Sequence, residues 1–294
     1  MAVAFLAKIF IKLFKFVPFW LLYLISDFLR FLFFYIIPYR KKVVFSNLKK
    51  AFPNKNDKEI KYLAKEFYKN LSDILLESLK GLSLSKDEFL KRFRIVNPEL
   101  LDNYYEQNLS VINLAGHYAN WEWGIQAVNM QVKHQVVSIY KKLSNKHLET
   151  YIKEKRERFG MMLIPMEETK SIFANQEKPV SVILAADQNP GDVNKAIWVD
   201  FLGIKTAFIH GPEAYANKLG LPVVYFNVQR VKRGFYTLEI IPVTDNPRKL
   251  KKGELTKVYA GILEEIIKNK AQDWLWSHKR WKHSYEKFIK NNEL

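Results

Sequence analysis

The chain has 294 residues, 48% of them hydrophobic, with only 11 Gly and 11 Pro; this excludes a disordered or fibrous protein and leaves room for one large domain or two small ones. It contains no cysteine, so disulfide scaffolds, thiolate zinc sites, iron–sulfur clusters and cysteine nucleophiles fall away together. The 47 Lys and Arg against 30 Asp and Glu leave a net charge of +17, which asks for an anionic partner: nucleic acid, anionic lipid or an acidic protein.

Residues 1–50 hold nine Lys and Arg against one Asp. Lys8, Lys12 and Lys15 share one helical face while Phe5, Leu6, Ile9, Phe10 and Leu13 fill the other, the pattern of a helix lying in a lipid interface. From Phe16 to Ile37 the only charges are Asp27 and Arg30, three apart and able to pair on one face. At 1.5 Å per residue this run reaches roughly 33 Å, enough for a bilayer core. Tyr39, Arg40, Lys41 and Lys42 close it with an aromatic and basic boundary. The lysines interrupt the apolar core and no small-residue cleavage site follows, unlike a signal peptide. Residues 1–42 therefore read as a membrane anchor, spanning or interfacial, ahead of one globular domain over 43–294. The basic cluster after the anchor favours a cytoplasmic body.

Helical spacing of Ile60, Leu63, Phe67, Leu71, Ile74, Leu75 and Leu79 predicts a helix over 57–80. Beyond residue 109 the rhythm alternates. Ser110–Leu114, Val136–Tyr140, Met162–Pro165, Val180–Ala185, Pro222–Gln229 and Phe235–Pro242 read as strands. Helical stretches lie near 119–130, 144–159, 210–219 and 253–270. The fold class is α/β, a mostly parallel central sheet flanked by helices.

The most informative stretch is Val111 to Trp123. An apolar strand runs into Gly116 and delivers His117 at its C-terminal end, where open α/β sheets place ligands. Glu122 follows in the first turn of the next helix, within reach of the imidazole. A carboxylate on one ring nitrogen fixes the tautomer and leaves the other to accept a proton, which suits a general base for acyl transfer. The structural alternative is a polar loop histidine beside a solvated first-turn acid. No second His or Asp stands at metal-ligand spacing, and His134 and His147 are scattered, so no metal site is expected. Ser110 lacks a nucleophile elbow, and there is no Walker-type loop.

His117-x4-Glu122 after Gly116, with Asn120 and Trp121 inside it, resembles the glycerolipid/lysophospholipid acyltransferase superfamily. Within it the likeness is to the bacterial lipid A biosynthesis (lauroyl/myristoyl) acyltransferase family, and it covers nearly the whole chain. Tyr39-Arg40-Lys41-Lys42, Asn47-Leu48 and Phe52-Pro53 are similar to its basic, Asn-Leu and Phe-Pro signature. Arg156-Glu157-Arg158-Phe159-Gly160 resembles its Arg-x-Arg-x-Gly segment, Asp187-Gln188 its Asp-Gln loop and Phe201-Leu202-Gly203 its Phe-x-Gly turn. Trp276 to Lys282 resembles its Trp-x-His-x-Arg-aromatic-Lys stretch.

The resemblance implies a glycerol-3-phosphate acyltransferase-like fold with His117 as base and Glu122 as its orienting partner. It places Arg158 and Asp187 near the substrate, Arg158 on a phosphate or an oxyanion and Asp187 positioning Arg158. The plainer readings are a helix C-terminal cation for Arg158 and a turn acid for Asp187. Arg230, Lys232 and Arg233 read as a solvated hairpin turn, and His278 and Arg280, among tryptophans, as packing or membrane contact. The expected reaction moves a fatty acyl chain from a thioester donor, acyl carrier protein, to a hydroxyl of a lipid A precursor, with no cofactor. The expected setting is the cytoplasmic face of a bacterial inner membrane, with an anionic lipid acceptor and no nucleic acid. Alternatives are the same chemistry on a lysophospholipid, aminoacyl lipid or glycolipid, and a non-catalytic membrane tether.

Overall fold

The protein is described by a computed structural model covering residues 8–9, 11–172 and 178–292. Its central sheet has seven strands: β1 Phe93–Ile95, β2 Val111–Ala115, β3 Gln135–Tyr140, β4 Met162–Pro165, β5 Val180–Ala185, β8 Val223–Lys232 and β9 Phe235–Thr244. They lie in the order β1-β9-β8-β2-β5-β3-β4. Every neighbouring pair is parallel except β8 and β9, which form an antiparallel hairpin. The expected α/β fold with a mostly parallel sheet is thus the fold observed. Four successive residues are buried at the start of both β2 and β5. Burial on both faces is what a central parallel strand requires, and the two polar side chains within these runs, Asn113 and Ser181, bond each other at 2.6 Å.

A separate two-stranded hairpin joins β6 Ile197–Phe201 to β7 Ile204–Phe208. Its turn is Leu202 and Gly203, with φ of 52° and 74°. Two successive left-handed residues match the twist of a two-residue hairpin loop. This pair of strands and the short β1 were not anticipated from the sequence, whose apolar runs there are brief.

The helices are α1 Phe19–Phe31, α2 Lys41–Ala51, α3 Asp57–Gly81, α4 Lys86–Arg92, α5 Glu99–Glu106, α6 Trp121–Val128, α7 Lys146–Glu157, α8 Gly211–Leu219, α9 Glu254–Asn269 and α10 Tyr285–Asn292. Helix α3 begins on a capping box. The Asn56 side chain accepts from the Lys58 and Glu59 amides, and the Glu59 carboxylate accepts from the Asn56 amide. Three amides that the start of the helix leaves unpaired are satisfied in this way. Ile60, Phe67, Leu71 and Ile74 are buried as the spacing predicted, whereas Leu75 is exposed. A second, polar set on α3 is also buried: Asn70, Asp73, Glu77 and Lys80, three or four apart and so on one face.

That polar face holds the N-terminal region against the body. Lys80 Nζ donates to the carbonyls of Phe14, Lys15 and Val17 at 3.2, 2.6 and 2.7 Å. Ser26 donates to Asp73 at 2.6 Å, and Tyr23 to Glu77 at 2.9 Å. Asp27 does not pair with Arg30; it pairs at 2.9 Å with Arg233, which also binds Asp73 at 2.6 Å. Arg230 meets the same Asp73 at 2.5 Å. Arg230 and Arg233 are therefore not a solvated turn. The buried Asp73 draws both cations inward, because a lone carboxylate out of water is costly. Lys232 stays exposed, over the Phe235 ring.

The segment Phe19–Ile36 is long and apolar enough to cross a membrane, by length and composition. It lies beside α3 with Leu22 and Ser26 buried. Outward it shows Trp20, Leu24, Phe28, Phe31 and Tyr35, a stripe at three- and four-residue spacing that begins at Phe16, 79% exposed. Upstream, Ile11 and Phe14 are buried while Ile9 and Leu13 are exposed. The expected apolar positions Phe5, Leu6 and Phe10 lie outside the described residues.

Candidate active site

Strand β2 ends at Ala115 and β5 at Ala185, and these two residues pair in the parallel register. Two residues further along each strand stand His117 and Asp187, so the register delivers both to the same level at the C-terminal edge of the sheet. His117 Nδ1 lies 2.6 Å from Asp187 Oδ1, and the His117 backbone amide donates to Oδ2 at 2.8 Å. Trp274 Nε1 donates to the same Oδ2 at 2.9 Å. Gly116 lets these chains approach: a Cβ there would meet Leu263 at 3.1 Å, the Tyr225 hydroxyl at 3.4 Å and Asp187 Oδ2 at 3.5 Å.

The loop carrying His117 is clamped from the C-terminal region. The Ala119 amide donates to the Asp273 carbonyl at 2.8 Å, and the Leu275 amide donates to the His117 carbonyl at 3.1 Å. Tyr118 and Trp274 form an isolated antiparallel bridge between these bonds. Ala119 takes a left-handed φ of 49°, which returns the chain to the start of α6. There Asn120 accepts from the Trp123 amide, while its own amide donates to the buried Glu77 at 2.7 Å.

With Nδ1 donating to a carboxylate, the Nε2 of His117 carries the lone pair. The Gln188 amide nitrogen lies 3.2 Å from Nε2, and the His117 side chain is 21% exposed. Trp121 meets the imidazole edge-on, with ring centroids 5.3 Å apart. Burial disfavours the imidazolium, but the charge and hydrogen bond of Asp187 outweigh it, with a further contribution from the charge of Glu122, and the His117 pKa is raised. Burial also opposes the Asp187 carboxylate; the charge of His117 and the bonds from His117 and Trp274 prevail and hold its pKa down to about 2. The arrangement is an imidazole whose basicity is strengthened by an ionised carboxylate.

The other expected site residues fall elsewhere. Glu122 does not bond the imidazole: its carboxylate pairs with Arg156 of α7. From the first turn of α6 it reaches towards α7, while the strand register puts Asp187 closer to Nδ1. Arg158 is not at the histidine, and Asp187 does not position it. It caps the end of α7, donating to the Lys155 carbonyl at 2.6 Å and to the Gly81 and Leu84 carbonyls at 2.7 Å each. Its guanidinium also lies 4.2 Å from the Phe159 ring centroid, and burial lowers its pKa to about 10. Two helix-end carbonyls and the loop carbonyl of Leu84 explain its place. His278 accepts from the Asn189 amide at 3.1 Å, and burial lowers its pKa to about 4. Arg280 is buried against Phe208 and donates to the Ala207 carbonyl at 2.7 Å, a packing role.

Sequence reasoning missed two functional neighbours. Trp274, whose indole supports Asp187, is one of the tryptophans that composition alone assigns to packing or membrane contact, and Gln188 stands in the sequence only as part of the Asp-Gln loop. Their adjacency to Asp187 in the chain or in the clamp offered the only signal. A model of the family described as bacterial lipid A biosynthesis acyltransferase matches residues 1–283. The chain belongs to that family. A search among curated proteins found no match. Membership makes the protein an acyltransferase of lipid A synthesis, and the His117 edge of the sheet is its candidate centre.

Proposed function

We propose that the protein transfers a fatty acyl chain from a thioester donor to a hydroxyl of a lipid A precursor, with His117 as general base and Asp187 as its positioning residue. The observation that carries this reading is the Asp187–His117 pair at 2.6 Å, with Nε2 turned towards Gln188 at the accessible edge of the sheet. The acceptor hydroxyl gives its proton to Nε2 as its oxygen attacks the thioester carbonyl carbon. The oxyanion that forms is offset by the imidazolium beside it and by backbone donors. Its collapse re-forms the carbonyl and breaks the carbon–sulfur bond, and the departing sulfur takes the proton from His117 to leave as a thiol. Arg158, with its donors already bound to three carbonyls, is left out of this scheme.

The donor fits acyl carrier protein, a small acidic protein that a net charge of +17 attracts over distance. The acceptor is an anionic lipid, reached from the cytoplasmic face of a bacterial inner membrane. Residues 1–42 provide the anchor, and the outward stripe from Phe16 to Tyr35 is the surface that meets the bilayer. Because α1 is bonded to α3 and to Arg233 along its inner face, it serves this role lying against the body. The direct test is purified protein with acyl–acyl carrier protein and a lipid A precursor. Mass spectrometry should find the precursor heavier by one acyl group and the carrier's thiol set free. No acylated product from any lipid A precursor would contradict the assignment of acceptor.

A further inference from the structure

At the C-terminal end of α1 the chain widens into one π-type turn, Leu32–Ile36. There Arg30, Phe34 and Tyr35 face Lys65 of α3 across a cleft of 140 Å³. Phe34 is buried and forms its floor, with Lys41 Nζ 4.2 Å and Lys65 Nζ 5.9 Å from the ring centroid. The charges here contrast with those next door. Arg230 and Arg233 are matched by Asp73 and Asp27, whereas among the described residues neither Arg30 nor Lys65 is paired with a carboxylate. Asp27, the one acid of the anchor, is taken up by Arg233. Two cations without a salt bridge among the described residues, Arg30 feeling the charge of Asp27 but not bonded to it, thus line a recess built partly on an aromatic ring.

The recess opens beside the apolar stripe. Phe28, Phe31, Tyr35, Ile36 and Ile37 are all exposed at this end of the helix. Long cationic side chains that keep their heads level with an aromatic border, next to bare apolar surface, match the headgroup depth of a membrane. We propose that this cleft binds the phosphate of an anionic phospholipid, whose acyl chains lie along the stripe. A soluble anion would satisfy Arg30 and Lys65 and leave the adjoining apolar surface in water; a lipid covers both. The proposal rests on the reading that the α1 stripe meets the bilayer.

The test uses the full-length protein exchanged from detergent onto vesicles of phosphatidylcholine, with or without phosphatidylglycerol, and measures co-sedimentation. Arg30→Gln with Lys65→Gln is compared with Lys12→Gln with Lys15→Gln, which removes equal charge from exposed positions of the same anchor. Each juxtamembrane cation is worth roughly a fivefold factor on an anionic surface. The cleft pair, which would also bond the phosphate directly, should therefore lose more than the roughly 25-fold that diffuse attraction of two cations supplies in preference for phosphatidylglycerol vesicles, and keep its binding to pure phosphatidylcholine. The control pair should lose clearly less. Equal losses in the two pairs would mean diffuse attraction and overturn the site. So would an unchanged lipid preference in the cleft variant alongside weaker use of the acidic carrier protein, which would make the recess a protein contact. A wild-type chain that binds neither kind of vesicle would instead contradict the membrane reading beneath the proposal. Circular dichroism melts of both pairs exclude misfolding as the cause.

Discussion

His117 and Asp187 stand 70 positions apart in the chain and meet at 2.6 Å. Nothing in the spacing of either loop brings them together. The contact follows from the pairing of Ala115 with Ala185 across β2 and β5, which sets both loops at one height. Each residue leaves its strand two positions later, so the imidazole and the carboxylate are held by the sheet itself.

Asp187→Asn should therefore weaken the base more than any other single change to its surroundings. The lost carboxylate lowers the His117 pKa, so the acid limb of the kcat/KM profile should move to lower pH. Turnover above the limb should fall by roughly 10²–10⁴-fold, the usual worth of an assisted proton transfer. Glu122→Gln also removes a negative charge near His117, but the smallest of those that raise its pKa. Its acid limb should shift much less, whatever rate it loses through Arg156. A larger displacement in the Glu122 variant than in the Asp187 variant would reverse the assignment.

Arg158→Ala should act on stability. Three helix-end and loop carbonyls lose their donor, and leaving such groups unsatisfied costs roughly 1–3 kcal/mol. Denaturant unfolding should register that loss, while turnover per folded molecule stays within a few-fold of wild type. A collapse of turnover at unchanged stability would return Arg158 to the substrate.

The two acids that bind Arg233 should separate by burial. Asp73 is fully buried between Arg230 and Arg233, so Asp73→Asn leaves uncompensated buried charge and should cost roughly 3–5 kcal/mol. The Asp27 side chain is 41% exposed, and Asp27→Asn should cost no more than about 1 kcal/mol. Urea unfolding of both variants in detergent gives the comparison. Similar losses would mean that the network is not buried in solution.

His278 gives a pH signature. Its pKa falls from 6.5 to about 4 in the folded chain through burial, so the unfolded chain binds more protons between these values and stability rises with pH there. Its contribution is complete above about pH 6.5 and is lost as the pH falls towards 4. His278→Gln keeps an acceptor for the Asn189 amide and does not titrate, so the slope of stability against pH in this window should flatten. An unaltered slope would place the acid sensitivity elsewhere.

The sequence displayed the sheet where apolar runs were long. β2, β3, β4 and β5 lie within a residue of the expected spans; the three central ones, β2, β3 and β5, are buried along half or more of their length and so are rich in Val, Ile and Leu, and the edge strand β4 is a short apolar run. The short β1 and the β6–β7 hairpin carried too few such residues to stand out. His117 was legible from its place after an apolar strand and Gly116. Its carboxylate was not, because helical proximity favours Glu122 whereas the contact depends on which strands are neighbours, a property of topology. Arg230 and Arg233 looked solvated for the same reason. Only the packed structure reveals Asp73 beneath them, on a helix more than 150 residues earlier.

The central claim is that His117 is the base of acyl transfer. It is tested most directly by comparing purified wild type and His117→Ala with one acyl donor and one lipid A precursor, following product by mass spectrometry and folding by thermal melting. Loss of the base should lower kcat by roughly 10²–10⁴-fold. The melting temperature should change little, since the His117 amide and carbonyl bonds that clamp the loop belong to the backbone. Near-normal turnover by a folded His117→Ala protein would contradict the account and place the chemistry away from this edge of the sheet.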